Sequence, residues 1–388
     1  MKALRNWIDK QKPQFEKGGK LHMFKSVFGG FETFLFVPNH TTKIGSHVRD
    51  YTDLKRTMSM VVLALIPALL VGMYNIGYQH NLAVGATASF METFFYGFLR
   101  VLPAIIVSYG VGLGVEFVTA QLKGHEIHEG FLVSGLLIPM VMPVNTPLWM
   151  IAVSVAFSVV FCKEVFGGTG MNIWNPALVA RAFLFFAYPS QMSGESVWVS
   201  LGGEKAIDAF SGATPLAKAA EAVTTGTLDL GNFSPMDAFL GFIPGSIGET
   251  STLAILIGAV ILIWTGIGSW KIMVSTVLGA SFVGILMNLF GSNPYMTDMP
   301  FWYHFIIGGF AFGAVFMATD PVSAAQTEKG KWYYGFIIGV LAVIIRVMNP
   351  AYPEGMMLAI LLMNTFAPLI DHGVVSGNIK RRLKRAKA

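Results

Sequence analysis

Ten runs of apolar residues constrain this chain more than any other feature of it. They lie near 57–77, 98–120, 129–143, 147–167, 174–190, 251–268, 270–291, 301–320, 331–349 and 353–372. A regular helix needs roughly 20 such residues to cross a bilayer. Within lipid, only helices and closed barrels satisfy their own backbone groups. With 54% hydrophobic and 13% charged residues and a mean hydropathy of +0.59, the chain reads as an all-α polytopic membrane protein. Forty-two glycines suit a bundle whose helix backbones approach closely. The net charge of +5 gives no nucleic-acid signal, because the basic residues gather at the two ends. A single cysteine, Cys162, excludes an internal disulfide and a four-cysteine iron–sulfur site within the chain. The first apolar run starts near Met58, so nothing ahead of it reads as a cleaved signal peptide.

The runs divide the chain into five parts. Residues 1–56 form a polar, basic N-terminal segment in which Trp7, Phe15, Phe24, Phe28 and Phe31 suit a surface-lying amphipathic stretch. Residues 57–190 and 251–373 are membrane halves of five spans each. Between them lies the hydrophilic interval 191–250, and 374–388 is a basic tail. The third run ends in Pro139 and Pro143 and the eighth stops at Asp320-Pro321, so both read as broken helices whose backbone faces protein. Five spans per half invert the second half relative to the first, an arrangement whose broken helices meet around a binding site. Lys123, Lys163, Lys271, Lys329, Lys331 and the tail fall on one side, which the positive-inside rule makes cytoplasmic, together with both termini. The 191–250 interval, with seven acids against Lys205 and Lys218, then lies outside.

Two polar stretches stand out. In Asp208-Ala-Phe-Ser211-Gly212-Ala213-Thr214-Pro215, Thr214 suits an N-cap and Pro215 the first helical position, opening a short helix over Leu216–Ala222. The free N–H groups of such a helix start can also receive a phosphate. The second stretch runs from Lys163-Glu164 through Gly167, Gly168 and Gly170 to Asn172, Asn175 and Pro176. It reads either as a tight connection with Asn175 as a cap, or as glycine backbone and asparagine amides facing a flat heterocycle. Acids inside a membrane are functional hypotheses by default. Glu116 and Asp371 lie near the cytoplasmic edge, where plain hydration would also account for them, and Asp320 also suits a helix cap. His125 and His128 occupy a turn with Glu126 and Glu129 and suggest no metal.

Asp208-x-x-Ser211-Gly212-Ala213-Thr214 resembles the flavinylation motif of the membrane flavoproteins of the sodium-translocating NADH:quinone oxidoreductase and the related Rnf complex. The likeness extends to Ser46–Arg56, Arg181–Pro189, Ile243–Glu249, Phe316–Ala324 and Asn349–Gly355, and the long N-terminal segment favours the sodium-pumping branch. It implies FMN joined to Thr214 by a phosphoester, attached by a dedicated flavin transferase, and noncovalent riboflavin at Asn172 and Asn175. Arg181 would offset negative charge on a flavin. It further implies electron delivery to ubiquinone or menaquinone coupled to sodium export, within a six-subunit complex of a bacterial inner membrane. A glycine pair tied to quinone binding in the family falls near Glu116, where this chain has Gly112 and Leu113. Glu116, Asp320 and Asp371 are the implied cation path. No strand–GxGxxG–helix fingerprint is present, so NADH oxidation would belong to another subunit.

The rival is a solute channel. A urea-transporter-like inverted repeat with two broken helices suits a pore as well as a flavin scaffold, and fold alone does not decide between them. The corresponding Rnf subunit is the nearer alternative.

Overall fold

The computed structural model describes residues 2–16, 54–123, 130–207, 210–231, 233–349 and 354–387, with short pieces between 18 and 48. Among these the chain is helical and holds no strand. Helix α1 (Lys2–Phe15) buries Ile8 and exposes Trp7, and Arg5 and Lys12 both reach Glu32. Phe31 and the 124–129 turn, with both its histidines, lie outside the described residues.

Every one of the ten apolar runs contains helix. In the first half these are α2 (Leu54–Val84), α3 (Phe90–Lys123), α4 (Phe131–Met140), α5 (Leu148–Ser158, continuing as π-helix Val159–Glu164) and α6 (Pro176–Ala187). Next comes α7 (Pro215–Thr225) in the hydrophilic interval. The second half holds α8 (Thr252–Trp264), α9 (Trp270–Phe290), α10 (Phe310–Phe312, continuing as π-helix Gly313–Met317), α11 (Glu328–Met348) and α12 (Met356–Lys387). Five of them, α2, α3, α9, α11 and α12, are long and apolar enough to span a membrane, while α4, α6 and α8 are shorter apolar helices. At 31 and 34 residues, α2 and α3 outrun their apolar stretches, because their less apolar flanks continue the helix.

Packing depends on residues without side chains. A Cβ on Gly77 would collide with the Thr93 carbonyl, and one on Gly97 with the Met73 carbonyl, so α2 and α3 touch backbone to backbone. Gly279 and Gly339 do the same between α9 and α11, where their Cβ atoms would strike the Phe336 and Thr276 carbonyls. Lipid gives no hydrophobic drive to helix pairing, so close approach of this kind supplies the contact energy. Within each half the second helix packs on the fourth and the fourth on the fifth. The halves meet through α2 against α8 and α6 against α12.

The two interrupted segments behave as their prolines and glycines demand. After α4 the chain turns at Val141–Pro143, and its carbonyls are taken up by protein. Gly248 N donates to Met140 O (2.7 Å), Ile247 N to Met142 O (3.3 Å), and Arg181 to Val141 O. The turn after α10 is closed by the Asp320 side chain, which accepts from Val322 N (3.1 Å) and Ser323 Oγ (2.8 Å). No irregular backbone is left for lipid to solvate at these atoms.

Candidate functional site

Helix α6 joins two cavities. Asn175 caps its start, Oδ1 accepting from Ala177 N at 2.9 Å with Pro176 in the first position, and Tyr188 closes its end. At about 1.5 Å per residue these caps stand roughly 20 Å apart.

At the Asn175 end is a cleft lined by Lys163, Thr169, Asn172, Asn175, Thr319 and Asp320 among others. Asn172 donates to Trp174 O (3.0 Å), and Trp174 Nε1 in turn donates to Thr365 Oγ1 on α12 (2.9 Å). Asn175 Nδ2 lies 3.4 Å from Asp320 Oδ2. The asparagine pair and Asp320, 145 residues apart in sequence, therefore share one wall. The π-helical turn of α5 brings Lys163 to the same cleft, where its ammonium donates to Glu116 on α3. Lys123 reaches the neighbouring Glu164 at 3.4 Å.

At the other end is a pocket lined by Phe185, Ser193, Trp198, Thr214, Glu249 and Thr250 among others. Thr214 is the N-cap of α7, its Oγ1 accepting from Ala217 N at 3.1 Å, and Pro215 occupies the first position. Ser211 Oγ accepts from Ala213 N (3.3 Å) and donates to Glu195 (3.2 Å). Gly212 passes so close to the Glu195 carbonyl that a Cβ there would collide with it. Ala213 is buried beneath the turn, and Asp208 lies outside the described residues. Thr250, 3% exposed, finds no hydrogen-bond partner for its hydroxyl among the described residues.

Arg181 lies behind the lining of this second pocket and bonds to residues that form it. It is 3% exposed and donates to Val141 O, Ser246 Oγ (3.2 Å), Glu249 (3.2 Å) and Glu354. Glu249 and Glu354 both line the pocket, so one guanidinium ties its floor together. Burial pushes the Glu249 carboxyl above its ordinary range; Arg181 opposes this, and the nearby Glu354 adds to it.

The acids resolve differently from one another. Of the two accounts open for Glu116, plain hydration does not match the structure: it is 4% exposed and ion-paired with Lys163. Gly112, one turn away, meets the Phe131 ring of α4, with which a Cβ would clash. Asp371 accepts from Gln326 N (2.7 Å) and Thr327 N (2.9 Å), securing the turn that opens α11. Asp320 and Asp371 thus hold the two ends of a single connection, 320–327. Sequence reasoning singled out neither the Lys163–Glu116 pair nor Glu249 and Glu354 as partners of Arg181. The available signal was an acid among glycines and prolines next to an apolar run. Among the described residues no group of three or more His, Cys, Asp and Glu side chains suits a metal ion.

Residues 41–380 match the family described as "NQR2, RnfD, RnfE family". The B-type subunit of the Na(+)-translocating NADH-quinone reductase of Chromohalobacter salexigens is 47% identical, covering 100% of this chain and 97% of that protein. Proteins of the same name from Pseudomonas aeruginosa (47%) and Azotobacter vinelandii (48%) align over 99% of both chains. Similarity at this level, running through both cavities and the helix between them, means that the chain belongs to the NQR2, RnfD, RnfE family.

Proposed function

We propose that this chain is the membrane redox subunit of a sodium-translocating NADH:quinone reductase, with FMN esterified to Thr214 and riboflavin in the cleft beside Asn172 and Asn175. Its electrons go to ubiquinone or menaquinone, coupled to sodium export. The observation that carries this reading is the position of Thr214: a helix N-cap that lines a pocket at one end of α6, with a second cavity at the other end.

The residues present fit the groups. The first N–H groups of α7 point where a phosphate on Thr214 Oγ1 would lie, and the helix dipole favours negative charge there. Phe185 and Trp198 supply aromatic lining, and the unpartnered Thr250 hydroxyl supplies a hydrogen-bonding group. When bound, the flavins supply the electron-carrying chemistry and the protein supplies position and charge. Arg181, held by Glu249 and Glu354, keeps a fixed cation at the base of the Thr214 pocket. Lys163, held by Glu116, keeps another at the cleft. In this reading Gly112 and Glu116 mark the quinone side, and Glu116, Asp320 and Asp371 the sodium path.

The packing of second on fourth and fourth on fifth helix in each half supports ten spans in two inverted five-helix repeats. We place the chain in a bacterial inner membrane with both termini cytoplasmic and Thr214 outside. It sits there among the other subunits of a six-subunit complex and is matured by a flavin transferase. The test is mass analysis of the tryptic peptide holding Ser211 to Lys218, from a host that has the transferase. A mass increase of one FMN localised to Thr214 supports the reading. An unmodified peptide overturns it and favours a passive pore.

A further inference from the structure

The break that follows α4 holds both sides of the Thr214 pocket. On one side, Met140 O and Met142 O accept from Gly248 N and Ile247 N, within the 243–250 stretch that lines the pocket. On the other side stands Asn145, between Pro143 and Pro147 in the same break. Its side-chain amide donates to Ser196 O and to Val199 O, each at 2.8 Å, and its backbone N–H donates to Val197 O at 3.3 Å. The residue enclosed by these three carbonyls is Trp198, which lines the pocket.

The strap that carries Trp198 has no regular structure of its own. Residues 193–200 form neither helix nor strand, yet Val197, Trp198, Val199 and Ser200 are all buried. Buried irregular backbone must find partners for its polar groups. Here the bundle provides them. Besides Asn145, Tyr96 Oη on α3 donates to Ser200 O (3.0 Å), and so does His80 Nδ1 on α2 (2.8 Å), which faces a carbonyl and therefore carries the proton. Beyond Ser200 the chain turns at Gly202, φ +66°, where a Cβ would crowd Tyr96 Oη and the Arg100 guanidinium. At its other end the strap meets the turn that bears Thr214. Glu195 accepts from Ser211 Oγ, and its carbonyl leaves no room for a side chain on Gly212. The strap is thus bonded to the Thr214 turn at one end and to α2, α3 and the α4 break along the rest.

We propose that Trp198 is the aromatic face against which the flat ring joined to Thr214 rests, and that Asn145 is the positioning residue that sets it. FMN as the occupant of this pocket is taken from the proposed function. Stacking of two rings is favourable only over a narrow range of separation and tilt. Apolar contact alone is non-directional and would leave the strap free to shift by more than that. Three directed hydrogen bonds from one residue fix its register. The break after α4 then has a use that an unbroken span could not supply, since a continuous helix would have spent these backbone groups on itself.

The test uses the full-length chain from a host that has the flavin transferase. An excited flavin takes an electron from an indole stacked on it and returns it without emitting, so stacking is read as quenched fluorescence. The quantity measured is the emission of the folded protein per flavin on Thr214, relative to the same sample after denaturation. Trp198→Phe should raise this ratio severalfold, and Asn145→Ala should raise it to a similar degree. The double variant should rise no further than Trp198→Phe alone, because two residues acting through one contact are not additive. Asn145→Asp keeps the size of the side chain and loses the Nδ2 donor, so it carries the same expectation where Asn145→Ala folds poorly. A lower melting temperature with an unchanged ratio would make Asn145 structural only and overturn the proposal. An unquenched parent, or additive rises in the double variant, would overturn it too. Mass analysis of the parent Thr214 peptide is done first: a peptide without flavin overturns the functional reading itself, whereas a loaded parent with an unchanged ratio in the Asn145 variants overturns this inference alone.

Discussion

Lys163 on α5 and Glu116 on α3 form an ion pair that is closed off from solvent and borders the Asn172 cleft. Burial makes both charges expensive, and each is tolerable only because of the other. The pair also fixes the orientation of the π-helical turn Val159–Glu164, from which the cleft takes its cation.

Glu116→Ala is therefore expected to lower stability by about 3–5 kcal/mol, because an unpaired ammonium remains inside. Glu116→Gln with Lys163→Met should recover most of that loss while still removing the cation from the cleft. Thermal melting of the detergent-solubilised protein reads the first effect. Noncovalent flavin content reads the second. Full recovery of stability with a normal flavin content would show that Lys163 serves structure alone.

Asp371→Ala is expected to loosen the start of α11. Three hydrogen bonds from Gln326 and Thr327 converge on this carboxylate. Their loss should cost about 2 kcal/mol locally and speed amide exchange over residues 326–331 roughly thirtyfold. Hydrogen exchange monitored by mass spectrometry checks it. A change in sodium dependence without faster exchange would instead assign Asp371 to the ion path.

What the sequence made legible, and what it did not, follows the range of each interaction. Thr214-Pro215 and Asn175-Pro176 were readable as helix starts because an N-cap is settled within three residues. The five helices long and apolar enough to span a membrane were readable because lipid imposes length and composition on each separately. The ion pairs were not: Lys163 and Glu116 are 47 residues apart, and Arg181 lies 68 and 173 residues from Glu249 and Glu354. Nothing periodic connects such positions, and only the bundle brings them together. Hydration was open as one account of Glu116 because its position along α3 reads as near a membrane edge. What buries it is the turn of α5 alongside, which hydropathy does not report.

Glu249 gives the protein a pH response of definite sign. Burial raises its folded-state pKa above the unfolded value, Arg181 opposing and Glu354 reinforcing the shift. A raised carboxyl contributes stability that is complete below the unfolded pKa, near 4.5, and is lost as pH rises through the folded value. The melting temperature should fall as pH rises above the unfolded value, and Glu249→Gln should flatten that slope. A slope unchanged in Glu249→Gln would place the titrating group elsewhere.

Thr214 combines two duties that substitution can separate. As N-cap it satisfies Ala217 N; as a hydroxyl it is the proposed ester oxygen. Thr214→Ala removes both, so it should lose about 1 kcal/mol of stability along with the covalent flavin. Thr214→Asn keeps an acceptor well suited to the cap and lacks an esterifiable hydroxyl. It should melt within a few tenths of a kcal/mol of the parent and still give a dark band on a denaturing gel under ultraviolet light. Thr214→Ser keeps cap and hydroxyl and should stay fluorescent wherever the transferase accepts serine. A fluorescent band in Thr214→Asn would move the attachment point to another residue, with Ser211 the nearest hydroxyl in the same turn.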